Sequence, residues 1–276
     1  MKNEFKLPRL RPLDLSREIY APHRKLYGFA LRVKNKPGVL FRITKVLAEL
    51  RINILGFSAS TLRPEAEEAV IVLLTDCGRI IKPCDKVLKD LRSLEGVIDA
   101  EGIEPNKFGA LFDVVHFPLQ VHGERGVIFC EPILRGMIEV MRRQIGPGMN
   151  AILWKAGYYG GAEVAKEFEE RYKLKSPEDQ FEMLKFKAVA LGWFIITDIS
   201  ISKKPLKVVL KLFNPWECSL ARERRKEPQS HFIRGILSGF SSYIFKREML
   251  AVEKRCMAMG DSYCEFIVTA REEKAR

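Results

Sequence analysis

The hydrophobic positions in the first half of the chain change period several times. Phe29, Leu31 and Val33 alternate with polar residues, which predicts a half-buried strand. Apolar positions between residues 39 and 50 then recur at helical spacing. Three more strands are predicted at residues 52–57, 69–74 and 96–100, and one more helix at residues 87–91. This order of strands and helices, βαββαβ, predicts a ferredoxin-like unit.

The second half of the chain shows longer helical patterns between hairpins. A first hairpin is predicted from the apolar stretches 119–121 and 127–130. Three helices follow, at residues 133–141, at residues 152–168 and from Ser176 onward. A second hairpin (194–213), an amphipathic helix (231–245) and a closing hairpin (252–268) complete this half. Glycines 157, 160 and 161 interrupt the second of these helices, which indicates close packing or room for a ligand. The fold class is therefore α+β.

Length and composition place the chain among globular proteins with two domains. It has 276 residues, of which 47% are hydrophobic. No apolar run approaches the ~20 residues that span a bilayer, and the N-terminus has no apolar signal-peptide core, so we expect a cytoplasmic protein without membrane contact. Six cysteines in this length do not form a disulfide scaffold. The scarcity of Asn and Gln beside plentiful Lys, Arg and Glu is typical of a thermophile.

The charge balance is strongly basic, at +12, but it is spread along the whole chain. Most lysines and arginines lie near acidic residues. The densest run, RERRK at residues 222–226, has no interleaved aromatic residues. We therefore expect a solvated basic surface rather than direct binding of nucleic acid.

The closing hairpin carries a candidate metal site. Cys256 and Cys264 lie on either side of the turn formed by Gly260 and Asp261, and Glu253 precedes the first thiol by three residues. A hairpin brings its two strands together, and two thiolates with a carboxylate suit a tetrahedral zinc ion. Two unrelated buried thiols and a cross-hairpin disulfide are the alternatives.

Residues 27–105 resemble an ACT domain, through NKPGVL at 35–40, RINI at 51–54 and LEGV at 94–97. The resemblance implies a small ligand, often an amino acid, held at the interface of paired domains, and hence a homodimer. By this resemblance the ligand site is lined by Asn35, Gly38, Val39, Leu40 and Asn53. Gly38 permits close backbone approach, and the N–H groups of the following helix favour a carboxylate. The alternative is a tight turn in a domain that only dimerises.

Residues 117–270 resemble the 4-vinyl reductase domain family, whose members include sensor domains of aromatic-responsive activators and relatives of transport-particle subunits. The motifs are AGYYGG at 156–161, NPWE at 214–217, GILSGF at 235–240 and the closing hairpin. The resemblance makes Glu253, Cys256 and Cys264 ligands of a structural zinc. The family's remaining cysteine is replaced here by Ser230, so Cys218 or His231 would supply the fourth ligand, or the site would be empty.

The same resemblance implies a pocket for a hydrophobic or aromatic ligand between the glycine-rich helix and the sheet. Its candidate lining is Phe129, Cys130, Glu131, Trp154, Tyr158, Trp193 and Tyr243. Aromatic walls with a few polar groups suit such a ligand. Packing within an ordinary core is the alternative for each of these residues.

These features predict a basic arm (1–26), an ACT domain (27–105), a linker (106–116), a domain like those of the 4-vinyl reductase family (117–270) and a tail (271–276). The predicted function is that of a non-enzymatic regulatory protein that senses small molecules. One alternative is a tetrapyrrole vinyl reductase or its accessory, against which stand the missing dinucleotide loop and the missing iron–sulfur spacing. The other is an interaction scaffold without a ligand.

Overall fold

The computed structural model describes residues 11–15, 17–61, 65–79, 82–221 and 223–271. The first ten residues of the predicted arm, residues 272–276 of the predicted tail and Arg222 of the basic run lie outside the described residues. The chain forms two compact units, Met1–Val127 and Ile128–Arg276. The predicted linker, 106–116, falls inside the first unit, while the domain boundaries themselves stay a prediction.

The first unit is built on a four-stranded antiparallel sheet with two helices. Its elements are β1 (Glu18–Tyr20), β2 (Leu26–Lys34), α1 (Val39–Glu49), β3 (Asn53–Ser60), β4 (Glu68–Asp76), α2 (Cys84–Arg92), β5 (Val97–Ile103), β6 (Ala110–Phe112), β7 (Gln120–Val121) and β8 (Glu124–Arg125). Strands β3, β4, β2 and β5 pair in that order. Fully buried residues such as Phe29, Ile43 and Leu91 form the core between sheet and helices. The ferredoxin-like arrangement is therefore confirmed.

A two-stranded ribbon covers the other face of this sheet. Strand β1 pairs antiparallel with β6, about ninety residues later in the chain, and Ile19 and Leu111 pack on β2 and β4. Buried Asp113 follows the ribbon and fastens it, because it accepts hydrogen bonds from Ser58 (3.0 Å) and lies 3.0 Å from the Arg17 guanidinium. Part of the predicted arm thus lies on the folded unit as a strand.

The first predicted hairpin is present but shorter than expected. Its strands are β7 and β8, and residues 127–130 form no strand, so the prediction for that stretch was wrong. His122 and Gly123 both have positive φ, at 55° and 88°. Such a two-residue turn starts the return strand at once. The strand therefore begins at Glu124, three residues before the apolar run.

The second unit places helices on a second antiparallel sheet. Its elements are α3 (Glu131–Arg135), a π-helical turn (Gly136–Val140), α4 (Met141–Ile145), α5 (Pro147–Tyr172), α6 (Pro177–Ala190), β9 (Ile195–Lys203), β10 (Leu206–Phe213), α7 (Trp216–Ser219), α8 (His231–Phe245), β11 (Met249–Arg255), a 3₁₀ turn (Met257–Met259) and β12 (Cys264–Ala270). The sheet order is β11, β12, β10, β9. Buried Phe168, Phe181, Phe240 and Phe266 fill the core between the two layers. The predicted helical layer on an antiparallel sheet is confirmed.

Glycines bring α5 and α8 into backbone contact. A Cβ at Gly161 would lie 2.1 Å from the carbonyl oxygen of Ile236, and one at Gly239 would lie 1.8 Å from that of Tyr158. Gly157 and Gly235 face the opposite helix in the same way. No side chain heavier than hydrogen fits at these four positions. Of the two explanations that the sequence left open for this glycine-rich stretch, close helix packing is what these contacts show.

We expect Gly161→Ala to lower the free energy of unfolding of the second unit by about 3 kcal/mol, because the new methyl group forces the two helices apart. The neighbouring Gly160 on the same helix has nothing within 4 Å of its would-be Cβ. Gly160→Ala is therefore the matched control, with an expected gain of up to about 1 kcal/mol from helix propensity. Denaturant titration followed by circular dichroism measures both. Equal effects of the two substitutions would contradict the packing role.

Candidate functional site

Four potential metal ligands meet inside the second unit. Cys218, Glu253, Cys256 and Cys264 are all buried, and their ligand atoms lie within 4.8 Å of one another. Glu253 is on β11, Cys256 follows the end of that strand, and Cys264 opens β12. The turn between the two strands is closed by Gly260, at φ +97°, and by Asp261, whose Oδ2 accepts the N–H of Cys256 at 2.9 Å. The hairpin thus brings both of its thiols to one point, as its sequence predicts.

The geometry of this cluster fits a tetrahedral zinc ion. The Sγ atom of Cys218 lies 3.4 Å from that of Cys256 and 3.6 Å from that of Cys264. Zn–S bonds of about 2.3 Å at tetrahedral angles separate two sulfurs by about 3.8 Å. Glu253 is buried, and in the described part of the chain no lysine or arginine forms an ion pair with it. A buried carboxylate beside three thiols is stabilised by a bound cation.

Cys218, rather than His231, joins the cluster. Cys218 lies on α7, and its Sγ is 3.0 Å from the Oγ of Ser230, the residue at the position of the family's remaining cysteine. Ser230 also donates its hydroxyl to Glu253 at 2.9 Å and its N–H at 3.1 Å. His231 begins α8 and stays outside the group of four, with a buried Nδ1 that has no hydrogen-bond partner among the described residues. The thiol of Cys218 therefore occupies the space that Ser230 leaves.

The electrostatics of the cluster distinguish its members. The hydrogen bond from Cys218, followed by that from Cys264, lowers the pKa of the Cys256 thiol. Hydrogen bonds with the other two thiols raise the pKa of the Cys264 thiol, and the contact with Cys218 has the largest effect. Burial raises the pKa of Glu253 to about 8, and burial lowers the pKa of His231 to about 4.

A buried ion pair next to the cluster was not foreseen from the sequence. Glu217 is fully buried, and its Oε1 lies 2.8 Å from Nη2 of Arg142. Its Oε2 accepts the N–H groups of Phe232 and Ile233 at 2.9 and 3.1 Å, which caps the start of α8. The same Arg142 nitrogen donates to the carbonyl of Gln229 at 2.8 Å. Burial raises the pKa of Glu217 to about 7, opposed by Arg142.

This pair lies next to the donor cluster along the chain. Glu217 immediately precedes Cys218, and the residues it caps follow closely after Ser230. The motif NPWE at residues 214–217 was the available signal, because a carboxylate beside a candidate ligand and just upstream of a helix start can accept that helix's free N–H groups. Its partner Arg142 lies 75 residues earlier, which the sequence alone does not reveal.

Four of the five predicted ACT ligand residues, Asn35, Gly38, Val39 and Leu40, lie at the start of α1, whereas Asn53 pairs with Asp76 at the opposite end of the sheet. Gly38 has φ +86° and precedes the helix without any side-chain cap, and Val39 is buried while Leu40 remains partly exposed. The Asn35 side chain donates to the carbonyl of Ala66 at 3.0 Å. Asn53 opens the edge strand β3.

Arg42 is an addition to this set that the sequence analysis missed. Its Nη1 would lie 3.2 Å from a Cβ at Gly38, and its Nε donates to the carbonyl of Glu95 at 3.0 Å. These contacts hold the guanidinium of Arg42 beside the uncapped start of the helix. In the sequence, the sign of this contact was a basic residue one turn into the predicted helix.

The predicted pocket residues of the second unit are only partly brought together. Tyr158 and Tyr243 line one open cavity of about 400 Å³ together with Gly239 and Ser242. Trp154 stacks on Tyr158 with ring centroids 5.3 Å apart, and the Tyr243 hydroxyl donates to Glu169 at 2.6 Å. The other four residues do not line this cavity, namely the exposed Phe129, Cys130 and Glu131 and the partly buried Trp193, which packs against the core.

The two units correspond to two known domain families. The ACT domain model matches residues 30–96, and the 4-vinyl reductase domain model matches residues 212–270. The ACT match begins inside β2, covers α1, β3, β4 and α2, and ends before β5. The 4-vinyl reductase match contains all four residues of the donor cluster. The chain therefore carries an ACT domain followed by a 4-vinyl reductase domain.

Individual relatives are distant. Two uncharacterized proteins of Methanocaldococcus jannaschii are 23% and 26% identical over 117 and 130 residues, which cover 42% and 46% of this chain and 65% and 69% of theirs. A solved structure of the phenol-responsive sensory domain of the transcription activator PoxR with phenol matches at TM-score 0.49 and 16% identity. That match covers 54% of this chain and 78% of the sensory domain. Within the described residues, no helix is long and apolar enough to cross a membrane.

We expect Glu217→Gln to lower the free energy of unfolding by about 2 kcal/mol, because it removes one of the two carboxylates that pair with the buried Arg142, the other being Glu139. Glu131→Gln is the matched control. Glu131 pairs with Arg135 but its side chain is 60% exposed, so the change should stay within about 0.5 kcal/mol. Denaturant unfolding of both variants provides the comparison. A loss for Glu217→Gln no larger than the control's would refute the role of the buried pair.

We expect Cys218→Ser to remove bound metal from the purified protein and His231→Ala to leave it in place. The reason is that only the Cys218 thiol lies within ligand distance of the other three donors. Metal per chain, measured by mass spectrometry on protein prepared without chelator, separates the two residues. The reverse outcome would make His231 the fourth ligand.

Proposed function

We propose that this protein is a non-enzymatic regulatory protein that senses small molecules. Its 4-vinyl reductase unit is organised by a structural zinc ion, and its ACT unit binds a ligand of the amino-acid type. The observation that carries the proposal is the buried set of three thiols and one carboxylate within 4.8 Å. Four protein donors fill a tetrahedral zinc site, which leaves no position for a reacting water or substrate. Such a site closes a fold rather than catalysing a reaction.

The ACT ligand would bind through its carboxylate at the start of α1. The free N–H groups of an uncapped helix start attract an anion, and the Arg42 guanidinium is held within reach of Gly38. No acidic residue lies in the first turn of this helix to compete. The α-ammonium group would then face the amide oxygen of Asn35, and Asn53 could contribute only from a second copy of the chain, because it lies at the other end of its own sheet.

A homodimer through the ACT unit accompanies this proposal. Strand β3 lies at the edge of its sheet and exposes Leu55 and Phe57. An edge strand with exposed apolar side chains is stabilised by pairing with another chain. Asn53 on this edge would then contribute to a ligand site shared by two copies.

The 4-vinyl reductase unit would take a hydrophobic or aromatic ligand. The cavity lined by Tyr158 and Tyr243 offers aromatic walls with the hydroxyl of Ser242. The glycine contacts between α5 and α8 leave no space between those two helices, so this ligand would lie beside the helix pair. Aromatic compounds such as phenol are the first probes. The reductase alternative requires a bound redox cofactor, and an absorbance band of flavin or porphyrin in the purified protein would favour it.

We expect purified protein to hold about one zinc per chain and to lose both zinc and thermal stability in Cys256→Ser, because that change removes one of four ligands. Cys130→Ser is the matched control, since Cys130 is exposed and outside the cluster. Mass spectrometry and a thermal melt measure the two effects. If protein purified without chelator contains no metal, the zinc proposal is contradicted.

We expect a free L-amino acid to raise the melting temperature of the protein, with about 2.7 kcal/mol gained at 100 times Kd. Arg42→Gln should abolish this shift, because it removes the charge that faces the ligand carboxylate. Lys45→Gln on the same helix is the control, since Lys45 pairs with Glu49 on the surface. If none of the twenty amino acids shifts the melting temperature, the proposal of an amino-acid ligand is contradicted, and dimerisation remains as the role of the ACT unit.

A further inference from the structure

A cavity of about 360 Å³ opens beside the donor cluster. Its wall contains Cys218 and the turn residues Met257, Ala258 and Gly260. Cys256 and Cys264 are fully buried and do not line it. Among the four donors of the described chain, Cys218 is thus the residue that borders this cavity, although it is itself buried.

The cavity also borders the segments next to Cys218 and Cys256. Its lining includes Cys218 on the four-residue helix α7 and residues of the turn that follows Cys256. The sulfurs of Cys218 and Cys256 are 3.4 Å apart, so closing to the roughly 2.05 Å of a disulfide requires a movement of about 1.4 Å. Open space beside both segments leaves room for such a movement.

Cys264 is less suited to this reaction than Cys256. It begins β12 and is held in the sheet opposite Leu212. Its sulfur is 3.6 Å from Cys218 and accepts the N–H of Met257 at 3.2 Å. Cys256 lies beyond the end of β11, where no strand partner holds it. The geometry therefore favours a bond between Cys218 and Cys256.

We propose that Cys218 is an oxidation site through which hydrogen peroxide opens the cluster. The Cys218 thiolate attacks one oxygen of the peroxide, the O–O bond breaks, and the leaving hydroxide takes up a proton, so that a sulfenic acid and one water form. The Cys256 thiolate then attacks that sulfur and expels a second water, which gives the disulfide. Two thiolates lose two electrons in total, and the peroxide accepts them with two protons.

The consequence for the metal rests on the proposed function. A disulfide between Cys218 and Cys256 removes two of the four donors and leaves one thiol and one carboxylate. A zinc site with two protein ligands is weak. Oxidation would therefore release the ion and free the closing hairpin, so that the second unit responds to peroxide as well as to a ligand.

The test treats zinc-loaded full-length protein with hydrogen peroxide in a Cys130→Ser background, which removes the exposed thiol outside the cluster. A zinc-binding dye follows release, and peptide mapping identifies the disulfide. We expect one Cys218–Cys256 disulfide for each zinc released and reversal of both by dithiothreitol. Ala221→Phe, which narrows the cavity from its wall and keeps the backbone N–H that bonds to the carbonyl of Cys218, should slow both processes several-fold while the zinc stays bound.

Three results would overturn the proposal. They are zinc release without a disulfide at Cys218, a disulfide between other cysteines, and equal rates in Ala221→Phe and its parent. The metal content of the untreated protein is measured separately. Protein that carries no metal would refute the zinc site, yet mapping of its peroxide-treated cysteines would still decide whether Cys218 and Cys256 react.

Discussion

The second unit buries a carboxylate and three thiols side by side, and the surrounding elements are arranged to hold them there. Glu253, Cys256 and Cys264 come from one hairpin, while Cys218 comes from the short helix α7. Burying such groups without a positive partner is unfavourable. The proposed zinc ion would turn that cost into a cross-link between the hairpin and the segment before α8. The compact form of this end of the unit would then depend on the ion.

The start of α8 is the point on which the cross-link acts. Glu217 binds its first N–H groups, Arg142 holds the preceding carbonyl of Gln229, and Ser230 bonds to Glu253. The far side of the same helix touches α5 backbone to backbone through glycines. Because both contacts are close and direct, a shift of α8 changes the donor cluster and the helix pair together. This makes α8 the element through which a ligand near Tyr158 and Tyr243 could affect the metal site.

The sequence was informative where local pattern and chemistry coincide. Alternation and helical spacing sufficed for the βαββαβ unit, and the spacing of Glu253, Cys256 and Cys264 sufficed for three donors. Contacts between segments far apart in the chain could not be predicted from such local patterns. The pairing of β1 with β6 involves three-residue strands too short for periodicity, and Arg142 reaches Glu217 across 75 residues. The glycines of α5 signalled close approach, but only the position of α8 shows what approaches them.

The choice of Cys218 over His231 has a chemical consequence beyond completing a donor set. A cysteine at position 230 would sit at the start of a 15-residue helix, fixed by its capping bonds and buried. The thiol used here comes instead from a four-residue helix at the wall of a cavity. Cys218 is itself buried, but it is the donor residue that borders open space. The proposed oxidation therefore starts at this residue rather than at the two thiols of the hairpin.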